Sequence, residues 1–339
     1  MSYQIGIDTI RLRPTPRLAH TEYCSNERLK QAILDRTGKP IQEAWEFDLT
    51  WRTDDGPVPW QERGRTTDMG HAEFLEGGTD RRPAQPCPFT DLEQVLEFDA
   101  VEEYGLPDED ELFRHYEEKY QKSQKGNAKW VVPGGYYKTI VSGAIQTFGW
   151  DMLLPAASER DRFERVLDSF FRLSLHHYKV QAKTSIEVFI SHDDMVWSQG
   201  AFMHPDFYRG VIFPRYRELW SVLKDAGKKV LFCSDGDFSE FVDDLVDAGA
   251  DGFIFEPMTA LEPVVEKYGK SHVIVSSKVD CRTLTFGTQD DIQREIDATL
   301  ELAFDCPGFV FAVGNHMPSN IPVENGLFFF DYLSRRWRR

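Results

Sequence analysis

From residue 128 onward, short apolar runs recur, each closed by a small polar or charged cluster and followed by a helical pattern. Strand patterns fall at 129–133, 185–190, 229–232, 252–255, 272–275 and 309–313. Runs this short and this uniformly apolar suit strands buried on both faces, in a parallel sheet covered by helices. Helical patterns fill the gaps at 158–184, 205–226, 238–248, 260–268, 289–304 and 323–337. The stretch 247–252, Asp-Ala-Gly-Ala-Asp-Gly, reads as a helix end, a glycine turn and the entry to the next strand. Such alternation predicts an α/β protein, a (β/α)8 TIM barrel with an irregular N-terminal extension over the barrel mouth. One domain spans 1–339 on this reading, with 1–127 as the elaboration and 128–339 as the regular repeats. Two strands are then missing and must come from before residue 128, around Trp45 and the first residues.

The first third of the chain is less regular. A helix is expected at 27–36, a Trp-rich strand-like region at 45–60, a dense polar loop at 56–80 and a Pro-rich turn at 83–88. Helices follow at 91–98 and 108–124. Trp45, Phe47, Trp51 and Trp60 argue for burial rather than disorder. Long irregular segments in compact proteins are usually functional, hence the expectation that this one covers the mouth.

Bulk properties narrow the partners. A net charge of −17 excludes a phosphate-binding stripe and disfavours an anionic membrane surface. No apolar stretch approaches the roughly 18–20 residues of a membrane span. Five scattered cysteines without a Cys-x-x-Cys spacing indicate a reducing compartment. With no signal-peptide pattern at the N-terminus, the expected location is cytoplasmic, with a small molecule as the partner and no nucleic acid. The basic end 334–339 reads as a solvated helix terminus.

A barrel gathers its chemistry at the C-terminal tips of its strands. In this chain those tips carry His192-Asp193-Asp194, Cys233-Ser234-Asp235, Glu256 and Asn315-His316. Successive residues after a strand cannot all point inward, so one acidic side chain faces the pocket, and Asp193 and Asp194 are both catalytic candidates. Crowded carboxylates raise one pKa and make a general acid or base; the plainer alternative is that one Asp caps a helix or accepts backbone N–H groups at the turn. Asp235 is a second catalytic candidate, with an N-cap as its plainer role. His192 and Asn315 are candidate substrate contacts. Gly134 and Gly135 allow backbone to approach a ligand, with Tyr136 as a binding hydroxyl and Tyr137 as a catalytic one; a plain turn explains them equally well. Arg282 suits a planar carboxylate through its fork, or a structural ion pair. His71 lies in a polar run with Asp54, Asp55, Arg63, Arg65 and Asp68 that would set substrate choice if it folds over the mouth. His176 and His177 sit mid-helix and read as packing. No nucleotide-binding glycine pattern is present.

Several segments resemble the uroporphyrinogen decarboxylase superfamily, which includes decarboxylases and corrinoid-linked methyltransferases. They are Gly200-Ala-Phe-Met-His-Pro-Asp-Phe-Tyr-Arg with Pro214-Arg-Tyr, then 229–237 and 247–252. Leu284-Thr-Phe-Gly-Thr288, Gly314-Asn-His-Met-Pro318 and Pro322-Val-Glu-Asn325 complete the order, over roughly 130–335. The resemblance implies a (β/α)8 barrel and pairing into a homodimer. The decarboxylases share an Arg-Gln-Ala-Gly-Arg motif that this chain lacks; Glu62-Arg-Gly-Arg65 is the nearest text. Their late Gly-His-Gly turn reads Gly314-Asn315-His316 in this chain. The methyltransferase branch carries His-x-Cys at one strand tip, Glu at the next and a later Cys; the corresponding positions hold Cys233, Asp235, Glu256 and His316. The resemblance therefore implies a methyltransferase using a methylated corrinoid brought by a carrier protein, with Cys233, Glu256 and His316 as candidate zinc ligands; the alternative without metal makes Cys233 a small buried filler and Glu256 a hydrogen-bond acceptor for substrate. Thiolate, carboxylate and imidazole are all zinc ligands, although the mixed set is less zinc-like than two or three cysteines. A metal-free decarboxylase or lyase is the runner-up, and a non-catalytic binding barrel is third.

Overall fold

The computed structural model describes residues 2–50, 54, 56–57, 73–74, 80–81, 86–126, 129–136 and 139–339. Its strands are β1 (Ala19–His20), β2 (Glu73–Phe74), β3 (Asp80–Arg81), β4 (Gly134–Tyr136), β5 (Val188–His192), β6 (Lys229–Cys233), β7 (Gly252–Ile254), β8 (Val273–Ser276) and β9 (Phe309–Phe311). Seven of them form one parallel sheet in the order β1-β9-β8-β7-β6-β5-β4, while β2 and β3 pair antiparallel with each other. Residues 48–50 join the two edges of the sheet. Asp48 N donates to His20 O at 2.8 Å, Val131 N to Asp48 O at 2.9 Å, and Thr50 N to Val131 O at 2.9 Å. Leu49 and Val131 bridge in parallel. The ring thus closes through the region near Trp45, as the pattern required.

The strand period of two sorts the side chains. Val188, Ile190, Leu231, Cys233, Ile254, Val273, Val275, Val310, Ala19, Leu49 and Val131 share one buried cluster inside the ring. Their neighbours Phe189, Val230, Phe232, Phe253, Ile274, Phe309 and Phe311 belong to the larger core between sheet and helices. The first residues form a helix, Ser2–Ile10, rather than the strand expected of them. Ile7 and Ile10 enter the inner cluster, and Arg11 pairs with Glu187, next to the start of β5, at 2.7 Å. This helix therefore stops the end of the barrel at which the strands begin.

Between β4 and the helix Arg160–Ala182 lies a second helix, Ile140–Ser158, that the sequence pattern did not resolve. Residues 140–148 are buried on every side, so no amphipathic stripe marks them, and the chain breaks at Gly149 with φ of 69°. The helices Leu92–Leu96 and Ala100–Tyr104 pack on this pair. Ser169 accepts from Ala100 N at 2.9 Å, and the Tyr104 hydroxyl meets Thr147 at 2.8 Å. Among the described residues no helix is long and apolar enough to cross a membrane.

Candidate active site

His192 and Cys233 are the last residues of β5 and β6, and they lie side by side in the strand register. Alternation from Ile190 and Leu231 turns both side chains into the barrel. His192 Nε2 lies 3.0 Å from Asp194 Oδ1, and the Cys233 thiol lies beside the imidazole in the strand register. Asp194 Oδ1 accepts from Asp235 N at 2.9 Å, while Asp194 N donates to the Ser142 hydroxyl at 2.7 Å. Burial pushes the Cys233 thiol up to about 11 in spite of His192 beside it. Burial also works against a charged imidazole, but Cys233 and Asp194 outweigh it and raise the His192 pKa above its usual range. The Cys233 sulfur and the Asp194 carboxylate thus flank the imidazole and both favour its charged form.

A second group continues from Asp235. Asn315 Nδ2 donates to Asp235 Oδ2 at 3.0 Å and reaches Glu256 Oε2 at 3.5 Å. Asn315 Oδ1 lies 2.6 Å from His316 Nδ1. The other Glu256 oxygen accepts from Gly236 N at 2.9 Å. Asn315 adopts φ of 65°, a left-handed conformation that asparagine tolerates better than most residues. Gly236, at φ of 84°, passes so close to Trp197 O that a Cβ would lie 2.6 Å from it. Only glycine fits there. Burial raises the Glu256 pKa against the Gly236 N–H, the Asn315 amide and Arg282, which lower it, while Asp280 adds to the rise. A carboxyl so placed exchanges a proton closer to neutral pH than an ordinary glutamate.

His192, Asp194, Asp235, Glu256, Asn315 and His316, far apart in the chain, thus form one hydrogen-bonded network at the tips of β5 to β7 and just past β9, with Cys233 beside it. Other expectations need correction. Asp193 points away from the mouth: it is fully buried and accepts from Val141 N at 3.0 Å, Ser142 N at 2.5 Å and the Tyr216 hydroxyl at 2.7 Å. It caps the helix Ile140–Ser158. Tyr136 is also turned outward, since its register partner is Ser191, and it stacks on His177 with ring centroids 4.1 Å apart. Arg282 grips its own Asp280 through Nε at 3.0 Å and Nη2 at 2.6 Å, the plainer of its two expected roles. Tyr137 and His71, with Asp55, Arg63, Arg65 and Asp68, lie outside the described residues.

Cys233, Glu256 and His316 surround the same mouth without forming a metal cage. Among the described residues no group of three or more His, Cys, Asp or Glu side chains is arranged to hold a metal ion. Cys233 is engaged by His192, Glu256 by Gly236 and Asn315, and His316 by Asn315. This donor set does not fit a zinc ion. Sequence reasoning missed Ser142 and Tyr216, which orient the two aspartates from neighbouring helices. Nothing local marks either residue, because each acts across a sequence gap of more than twenty positions.

Comparison with known proteins agrees with the barrel fold. A curated uroporphyrinogen decarboxylase from Syntrophotalea carbinolica is 25% identical over 175 residues, 52% of this chain and 49% of that protein. The chain thus matches about half the length of that relative. A methyltransferase from Methanosarcina mazei has the same fold, with a TM-score of 0.65 at 16% identity over 98% of both chains. The uroporphyrinogen decarboxylase (URO-D) family model matches residues 149–336, more than half of the 339 residues and all of the network, though not its support Ser142. This chain belongs to the uroporphyrinogen decarboxylase family.

Proposed function

We propose that this protein is a methyltransferase that works in the barrel mouth on a small thiol- or hydroxyl-bearing substrate, with Glu256 as the group that takes the acceptor's proton. The observation that carries this reading is the charge of the network. Asp194, Asp235, Glu256 and Asp280 stand there against His192 and Arg282 among the described residues. Decarboxylation of a tetrapyrrole polycarboxylate calls for cations to hold the carboxylates, and among the described residues the arginine nearest this network, Arg282, is held by Asp280. Methyl transfer to a thiol or hydroxyl asks instead for a base, and burial has raised Glu256 toward the useful range.

The network assigns further parts. Asn315 bridges Asp235 and Glu256 and fixes the orientation of the base. The His192 imidazole, held by Asp194, stands beside Cys233 at the floor of the mouth. A methylated corrinoid would supply the methyl group. It would arrive bound to a carrier protein, with His192 and His316 held in the network by Asp194 and Asn315. The test uses methylcobalamin as a free surrogate donor with a panel of small thiols and alcohols, following its visible spectrum. Demethylation that requires an acceptor and falls about 100-fold or more in Glu256→Gln is the expected result. Turnover of uroporphyrinogen without methyl transfer would overturn the proposal.

A further inference from the structure

We infer that Glu22, paired with His20 at the tip of β1, is a positioning residue that holds the Asn315–His316 turn in place against Glu256. The inference rests on the reading that Asn315 orients the base in the mouth. Glu22 is buried, and its two oxygens accept from Val313 N at 3.1 and 3.3 Å. The β1–β9 ladder leads up to this contact: Thr21 N donates to Phe311 O at 3.1 Å, and the Glu22 carboxyl takes the N–H two residues further on. Beyond the turn, Met317 N donates to Tyr23 O at 2.8 Å and Ser25 N to Met317 O at 3.0 Å. The chain after β1 therefore grips residues 313 and 317 and leaves Asn315 midway between two anchors. Asn315 needs them, because its φ of 65° is a conformation that a side chain with a Cβ adopts only at a cost.

Glu22 is itself fixed from behind. His20 is fully buried, and its Nδ1 lies 2.9 Å from Trp45 O, which can only accept, so that nitrogen carries a hydrogen. Nε2 lies 3.0 Å from Glu22 Oε1. Two lone pairs do not face each other at that distance, so a second proton lies between imidazole and carboxyl. His20 N donates in turn to Asp48 Oδ2 at 3.0 Å, and Arg17 holds the same carboxylate at 2.6 Å. The clamp is thus built on the segment that closes the ring. Its effect on the turn has a spectroscopic reading. Asn315 Nδ2 donates to the Asp235 and Glu256 carboxyls, so Oδ1 is the atom that meets His316 Nδ1 at 2.6 Å. An amide oxygen only accepts, hence His316 is held as the Nδ1–H tautomer.

The experiment is NMR of isotopically labelled histidine rings in the whole chain, with the His316 signal assigned through His316→Gln and the Tm of each variant recorded. The wild type is expected to show His316 as a single Nδ1–H tautomer. Glu22→Ala should replace that signature by a mixture of tautomers, because Val313 loses its partner and Asn315 an anchor. Glu22→Gln should restore it, since the amide oxygen can accept from Val313 N while the amide nitrogen donates to His20 Nε2. Should Glu22→Ala not fold, Glu22→Asp, which withdraws the carboxyl by one methylene, is expected to show the same loss. A residue that served stability alone would lower Tm in the shortened variant and leave the His316 signature unmoved, and that result would overturn the inference. So would a wild-type His316 in the other tautomer, or a Glu22→Gln that fails to restore the signal. No methyl transfer is measured, so failure here leaves the transferase reading standing, and failure of the transfer assay leaves the clamp untouched.

Discussion

Replacing Asp193 by alanine tests whether adjacent aspartates have separate duties. The carboxylate is fully buried and accepts from two backbone N–H groups of the helix Ile140–Ser158 and from the Tyr216 hydroxyl. Alanine leaves three buried donors unmet, at about 1–3 kcal/mol each. Removing a buried carboxylate offsets part of that loss, which leaves about 4 kcal/mol. Unfolding entropy of about 2.1 cal/mol/K per residue gives about 0.7 kcal/mol/K for the 339-residue chain. The expected fall in Tm is then about 5–6 °C. Asp193→Asn keeps one acceptor oxygen for the helix and should lose about half as much. Asp194→Ala should shift Tm less than Asp193→Ala while removing most activity, because its partner His192 faces the mouth. Differential scanning fluorimetry and the transfer assay on all three variants decide the matter. A Tm for Asp193→Ala within about 1 °C of the wild type would refute the helix-cap assignment.

Three further outcomes are expected. Glu256 has a raised pKa in the fold, so its stabilising contribution is complete below the unfolded value of about 4.3 and is lost as pH rises through the folded value. The Tm of Glu256→Gln should therefore gain on the wild type between pH 4 and pH 8; a gap that moves the other way contradicts the burial argument. Zinc in protein purified without chelator should fall well below one equivalent and stay there in Cys233→Ala. A stoichiometric ion lost in that variant would show that the mouth rearranges around a metal. Gly236→Ala should cost about 1–2 kcal/mol for its left-handed backbone and about 1–3 more for the contact with Trp197 O. Gly227→Ala, with φ of 77° and open space around it, should lose only the first part, as chemical denaturation of the two variants would read.

Local pattern was enough to announce the barrel. Strands inside a parallel sheet are apolar on both faces, and that composition marks β5 to β9 without reference to anything distant. The polar tips were legible for the same reason: an apolar run that stops at Cys233 or Ile254 must leave Asp235 or Glu256 near the end of a strand. The helix Ile140–Ser158 was hidden because burial on all sides erases helical periodicity. Residues 48–50 complete the ring inside the strand-like region expected at 45–60, where the pattern alone did not fix which residues pair.

What the amino-acid order determined by itself is the repeating architecture and the residue types offered at its rim, since both depend on alternation over a few neighbouring positions. Which of those side chains enter the mouth was decided only by tertiary structure. Asp193 and Asp194 are chemically identical neighbours, yet one is captured by the N-terminus of a helix and the other by His192. Tyr136 likewise follows the outward parity of Ser191 instead of the lumen. Strand register and the helix ends facing it set these outcomes, and both depend on contacts between residues that lie about fifty positions apart in the chain.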